Sequence, residues 1–342
     1  MDDSSKLEPF PDNCLKYVLG HMDIKKREQM NYLFPAIREL NLALPYDLES
    51  LTIGDNYLKV NTWEWHVFPV IVPTEEEPTL DGDIGYRAIP NRCSIRFQKE
   101  GYRFTHEFGE DPHVAFKKLL DEYLKHETKI KKLQIYSFPD CLKEKRPETF
   151  KLIVEELQAR SSEYATFMKF LPFLDQSKPL KKMGFTYRIN NFPFFDEPTV
   201  RKSEEIFLQF PYYDPDPMND ILCTLPNKHI LMTYFELPVV KIQELAAHWK
   251  KFRKPIGHTF SVVIEDYSYI VDVFEKLQES LGAIHSKLPH LKDSFFAHSV
   301  VIPIDEQSEI VVYGEHAPIK WPPLVWALKM EVMPRGAAIA KK

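Results

Sequence analysis

The sequence predicts a mixed α+β fold in which short N-terminal helices precede alternating strands and helices. Three observations carry this. Ile242, Leu245, Ala246, Trp249 and Phe252 recur at helical spacing, as do Ile270, Phe274, Leu277 and Leu281. Between those two stripes, Phe260, Val262 and Ile264 alternate as a strand does. Finally, 27 prolines against 11 glycines in 342 residues mean frequent interruption, so elements should be short and firmly punctuated.

From the N-terminus, Leu15, Val18, Leu19 and Met22 form one apolar stripe on a helix of about two to three turns, with Pro11, Asp12 and Asn13 as start signals. Asp23 caps a second helix through Lys25, Lys26 and Arg27. Ile37, Leu40 and Leu44 give a third stripe after Pro35. Helices this short are not stable alone and must pack on one another, on the rest of the chain or on a partner.

Leu48, Leu51 and Ile53 then make a strand, and Tyr57–Trp65 its partner across the turn Gly54-Asp55-Asn56. Val72–Asp83 is acidic, proline-bearing and aperiodic, the best loop or linker in the chain. Asp111-Pro112 opens a helix with Phe116, Leu119, Leu120, Tyr123 and Leu124 on one face, and Ile130–Tyr136 follows as a strand. Pro147 opens a further helix carrying Phe150, Ile153, Val154 and Leu157. Strands close the chain at Phe295–Ile304, Glu309–Tyr313 and Val325–Met333. The helix-strand units His113–Tyr136, Val240–Glu265 and Ser268–Ile302 are similar in build. Both a leucine-rich-repeat-like stack and an irregular α+β domain fit them.

Composition excludes several classes. Hydrophobic residues make up 44% and charged ones 27%, a normal balance for a chain with a real core. A net charge of -6 without a basic block gives nucleic acid no electrostatic footprint. No apolar run reaches the roughly 20 residues that span a bilayer, and the N-terminus MDDSSKLEPF is acidic and polar. Neither a nucleic-acid nor a membrane partner is expected. Cys14, Cys93, Cys141 and Cys223 form no CxxC pair, as in a reduced protein of the cytoplasm or nucleus.

No catalytic, cofactor or metal site is expected either. GxSxG, GxGxxG and GxxxxGK[ST] are absent. The cluster His106-Glu107-Phe108-Gly109-Glu110-Asp111-Pro112-His113 lacks the spacing that sets two histidines on one helical face, and reads as a solvated loop with Asp111 as a helix cap. Asp81 and Asp83, and Asp214 and Asp216, lie among turn residues. His285, His290, His298 and His316 match no zinc pattern, and Cys14 or Cys141 would each need a histidine partner in space to act as a nucleophile. Trp249 belongs to its helix's apolar stripe, with His248 at the boundary. The aromatic runs Phe192-Pro193-Phe194-Phe195 and Phe210-Pro211-Tyr212-Tyr213 serve as partner anchors if exposed and as core if buried.

The build of FPDNCLKYVLGHMDIKKREQMNYLFPAIRELNLAL, proline followed by three short helices, resembles an F-box. In order, that segment, LPYDLESLTIGDNYLKVNTWEW and GDIGYR resemble a nematode group of F-box-related proteins with an associated domain of unknown function. Leu15-Lys16-Tyr17-Val18-Leu19, Met22-Asp23 and Pro35-Ala36-Ile37-Arg38 match that group's opening pattern. KHILMTYFELPVVKIQELAAHWKKF is similar to its associated domain, in which a strand leads into a helix ending near a tryptophan, here Trp249. The chain differs from an F-box in having no aromatic residue between Ile37 and Leu44. The resemblance implies an F-box-like segment over residues 1–45 and a recognition region over 46–342. It implies a substrate-recognition subunit of a cullin-type ubiquitin ligase, with a Skp-type linker subunit and a protein substrate as partners. Leu15, Val18, Leu19 and Met22 would dock the linker. The alternatives are a degenerate F-box-like binding protein with no ligase link, and an enzyme whose site is assembled from scattered His, Asp and Cys residues.

Overall fold

The computed structural model describes residues 12–73, 86–160, 164–186, 189–209, 218–233, 237–288, 298–321 and 324–340. It is an α+β chain with a mixed sheet, and it divides into two compact units, 1–158 with 165–178, and 159–164 with 179–342.

The first unit begins with helices α1 (Asp12–Gly20), α2 (Ile24–Leu33) and α3 (Arg38–Ala43). Asp23 caps α2 as expected, its carboxylate accepting from the Lys25 N–H at 2.9 Å. Met22 lies past the end of α1, and Leu44 is the residue that ends α3. Strands β1 (Asp47–Ile53) and β2 (Tyr57–Val60) pair antiparallel around Gly54–Asn56, with Leu48, Leu51, Ile53, Leu58 and Val60 fully buried.

The expected single strand from Tyr57 to Trp65 is two strands. Asn61 takes a left-handed φ of 53°, and the two-residue connection Asn61-Thr62 turns the chain back into β3 (Trp63–Pro73). Beyond Pro73, most of the expected Val72–Asp83 linker lies outside the described residues. Strands β4 (Tyr86–Lys99) and β5 (Tyr102–Phe108) follow, then α4 (Pro112–Tyr123), capped by Asp111 through the His113 N–H at 2.8 Å. Strand β6 (Lys129–Ile135) pairs parallel with β1.

The helix expected after Pro147 is a correction. That proline starts only a turn, and Ile153–Ala159 is strand β7 beside β6, with Val154, Leu157 and Ala159 buried. The i, i+3, i+4, i+7 spacing of its apolar residues fits a helix, and periodicity alone does not separate the two over so short a run. Distant backbone groups decide it. The Ile153 N–H donates to the Thr128 carbonyl at 3.0 Å and the Leu152 N–H to the Phe173 carbonyl at 2.8 Å. A helix would leave both acceptors unpaired. Helix α5 (Tyr164–Phe170) then leads to a 3-10 turn at Leu171–Phe173. The sheet of this unit runs β7-β6-β1-β2-β3-β4-β5.

The second unit contains β8 (Lys182–Thr186), α6 (Pro198–Lys202), β9 (Glu205–Gln209), α7 (Met218–Thr224), β10 (His229–Thr233), α8 (Val239–Lys251), β11 (Thr259–Ile264) and α9 (Ser268–Leu281). It closes with β12 (Ile284–Lys287), β13 (Ser299–Pro303), β14 (Ser308–Trp321), β15 (Leu324–Pro334) and β16 (Ile339–Ala340). Strands β8 to β11 are parallel neighbours, whereas β11-β15-β14-β13-β12 and β16 pair antiparallel. The units with similar build therefore do not stack as repeats. Strand β11 pairs with β10 and β15, and β13 with β12 and β14, so the irregular α+β alternative holds.

On α8, Ile242, Leu245, Ala246 and Trp249 are buried, as the stripe requires, while Phe252 caps the helix and stays exposed. Gly282 ends α9 at φ 65°, ψ 35°, a left-handed cap that glycine adopts without steric cost.

Candidate functional site

The residues of interest lie in the first unit, where the N-terminal helices meet the sheet. The centre is Arg27, 1% exposed on α2. Its Nε donates to Asn41 Oδ1. The terminal nitrogens donate to the carbonyls of Pro45 (2.7 Å), Asn41 (2.8 Å) and Leu44 (2.8 Å). These carbonyls lie at and just beyond the C-terminal end of α3, where helix geometry supplies no partner and the dipole favours a cation. The guanidinium also lies 4.1 Å from the centre of the Tyr46 ring, a cation–π contact. One side chain thus clamps α2, α3 and the entry to β1.

The surroundings are tuned by burial. The Arg27 pKa is lowered by desolvation, with Tyr46, Glu28 and Glu122 acting against it. Burial pulls the Lys125 ammonium, 4.5 Å from the same ring, down to about 8. It pushes the Tyr46 and Tyr123 phenols up, Tyr46 also through the hydrogen bond its hydroxyl donates to Glu28 at 2.7 Å.

From this hub an aromatic ladder crosses the sheet. Ring centres step from Tyr46 to Tyr123 (5.7 Å), Tyr123 to Trp65 (5.3 Å), Trp65 to Phe97 (5.3 Å) and Phe97 to Phe104 (5.0 Å). It ends on β5, where all seven residues are exposed, with Tyr102 at 79% and Phe104 at 57%. An open cleft of about 530 Å³ lies between α2 and this sheet, lined by Lys25, Glu28, Gln29, Tyr32, Leu33, Trp63 and Lys99. Lys99 stands over the Trp63 ring at 4.8 Å and opposite Tyr102 in the β4–β5 register. Exposed apolar side chains occur on and beside the helices as well: Tyr17, Val18, Tyr32, Leu33, Phe34 and Leu42.

The structure divides the four expected docking residues. Val18 is exposed, Leu15 and Met22 are half-buried, and Leu19 is fully buried within this chain. The i, i+3, i+4, i+7 spacing places all four on one face but does not say which part of that face the chain itself covers. Arg27 went unnoticed in the sequence because a lysine-arginine run on a polar helix ordinarily points to solvent.

The other candidates are scattered. His106 sits on exposed β5 beside Phe108, Asp111 is the α4 cap, and among the described residues no group of three or more His, Cys, Asp or Glu is placed to hold a metal. Burial pushes the Cys93 and Cys141 thiols up, away from the thiolate a nucleophile needs. Cys14 is exposed. His248 is half-buried, its pKa lowered by desolvation and by Lys254 and Lys251. His285 and His316 are exposed on separate strands. Phe194 and Phe195 are buried, packing with Phe185. They are core and not partner anchors. Asp81, Asp83, Asp214, Asp216, His290 and Phe210–Tyr213 lie outside the described residues. Among the described residues, no helix is long and apolar enough to cross a membrane.

Fold and surface together define an α+β chain with an open cleft between α2 and the sheet, lined by both charged and apolar side chains. A family model described as a domain of unknown function (DUF3557) matches residues 111–266. The match begins at the cap of α4 and ends at Asp266, whose carboxylate accepts from the Ser268 N–H at the start of α9. The N-terminal helices and β1 to β5 lie outside it. No curated protein matches the chain.

Proposed function

We propose that this chain is a protein-interaction adaptor without catalytic residues of its own. The N-terminal helices dock a Skp-type linker subunit of a cullin-type ubiquitin ligase, and the strand-helix region after them recognises a protein substrate. One observation carries the reading: Tyr17, Val18, Tyr32, Leu33, Phe34 and Leu42 are exposed on and beside three short helices, of which Arg27 ties α2 and α3 to the entry of β1. Exposed large apolar residues are what a partner-binding face requires. The F-box-like order of those helices supports the linker as partner. Val18 meets the partner, with Leu15 and Met22 at the rim, while Leu19 holds α1 from beneath.

The test is calorimetric titration of the purified chain with the linker subunit. A Tyr17→Asp, Val18→Asp variant alters only exposed positions and should keep its circular dichroism while losing binding. If the unaltered chain does not bind, the ligase reading falls and the degenerate F-box-like binding protein with no ligase link replaces it.

A further inference from the structure

Strand β5 ends the sheet of the first unit, and its one sheet neighbour among the described residues is β4. Lys99 pairs with Tyr102 across a two-residue connection, in which Glu100 (φ 43°) and Gly101 (φ 90°) are both left-handed, the signature of a type I′ hairpin. The pair closing such a hairpin exchanges both hydrogen bonds, and paired and unpaired rungs alternate from there. Tyr102, Phe104, His106 and Phe108 therefore turn their backbone groups toward β4. Arg103, Thr105 and Glu107 turn theirs away from β4, to the edge that has no partner among the described residues.

An open edge strand invites pairing, and charges placed on it normally repel a second strand. Here the charges do the opposite. Read about Thr105, the sequence Tyr102-Arg103-Phe104-Thr105-His106-Glu107-Phe108 is chemically palindromic. An antiparallel copy centred there sets Thr105 against Thr105, Arg103 against Glu107, Phe104 against His106 and Tyr102 against Phe108. The outward-facing residues Arg103, Thr105 and Glu107 fall on the hydrogen-bonded rungs, giving about six bonds across the pair. The charges become two symmetry-related ion pairs, and the aromatic ladder from Tyr46 continues into the second copy. A parallel, in-register copy would instead oppose like charges, which destabilises a sheet. Arg103 and Glu107 are both exposed and have no ion-pair partner among the described residues, so nothing among those residues competes.

We propose that β5 is a self-association edge: two copies of this chain join antiparallel through β5, centred on Thr105, in a two-fold symmetric contact. The proposal is independent of the ligase reading. Two seven-residue strands with their flanking aromatics form a contact at the low end of specific interfaces, below about 1,200 Å², so dimerisation should be concentration-dependent.

Sedimentation velocity on the full chain, from micromolar to hundreds of micromolar, tests it. The expected result is a monomer–dimer equilibrium. Arg103→Glu should weaken it about tenfold by opposing carboxylates at both symmetry-related rungs, and adding Glu107→Arg in the same chain should restore it. Thr105→Pro removes an outward N–H that β4 does not use, and should leave a folded monomer. A chain that stays monomeric throughout that range overturns the proposal. So does a dimer indifferent to Arg103→Glu and Thr105→Pro, or one that the charge swap fails to restore. Saturable binding of an extended peptide along β5 by a persistently monomeric chain would also overturn it, in favour of a heterologous partner.

Discussion

Replacing Arg27 with alanine removes the clamp under the N-terminal helices, and its effect can be sized from the contacts. The guanidinium donates to the carbonyls of Leu44 and Pro45, and once each to the Asn41 carbonyl and side chain. Hydrogen bonds with a charged donor contribute about 1.5–3 kcal/mol each, not additively. Leaving a buried neutral acceptor unpaired costs about 1–3 kcal/mol, and with several acceptors stranded a loss of about 3–5 kcal/mol is expected here. It should fall on α1 to α3 before the sheet, because β1 and β6 keep their own parallel ladder. Native-state hydrogen exchange read by mass spectrometry separates the two regions. Amides of residues 14–44 should exchange about a hundred- to several-thousand-fold faster, at about 1.4 kcal/mol per factor of ten, while β1 and β6 change far less. Arg27→Lys should recover little, since one ammonium cannot reproduce a planar fork. If Arg27→Ala costs under about 1 kcal/mol and leaves exchange in the helices unchanged, the clamp argument is wrong.

Two further outcomes follow from the same physics. Lys125 has a folded pKa of about 8, below the ordinary 10.5. Above pH 8 the unfolded chain therefore binds more protons than the folded one, and stability should rise from pH 8 toward 10. Above pH 10 the raised phenols of Tyr46 and Tyr123 act in the opposite sense, because only the unfolded chain ionises them readily. Urea denaturation across pH 7–11 should show that maximum for the unaltered chain, and Lys125→Met should flatten the rising limb, leaving the part due to Lys254, whose pKa burial also lowers. Gly282→Ala forces a side chain into the left-handed cap of α9 and should cost about 1 kcal/mol, seen as a lower thermal midpoint for the second unit.

Several elements were legible in the sequence because their signals are local. The Asp23 and Asp111 caps, the Gly54-Asp55-Asn56 turn and the stripes of α4, α8 and α9 all depend on groups a few residues apart. The structure places them where the spacing does, with differences at the ends, as at Phe252. Where the outcome depended on distant groups, spacing was silent or misleading. The run Phe150–Leu157 matches a helix, yet Thr128 and Phe173 hold it as the approach to a strand. The site was less legible than the fold. The stripe of α1 marks a face that packs without saying that Leu19 packs inward and Val18 faces out. Nothing local to Lys25-Lys26-Arg27 distinguishes the clamp from its solvated neighbours.

By itself, then, the sequence determined that this is an α+β chain of short, proline-punctuated elements, where those elements carry caps and turns, and that no common phosphate-binding or nucleophile motif occurs in it. Periodicity and capping encode such features because each is settled within a few residues of chain. Only the tertiary structure decided that Arg27 is buried at the end of α3, that Phe194 and Phe195 belong to the core, and that β5 carries exposed aromatic side chains. These depend on which surfaces meet across long stretches of chain. Burial is a property of the meeting and not of the residue.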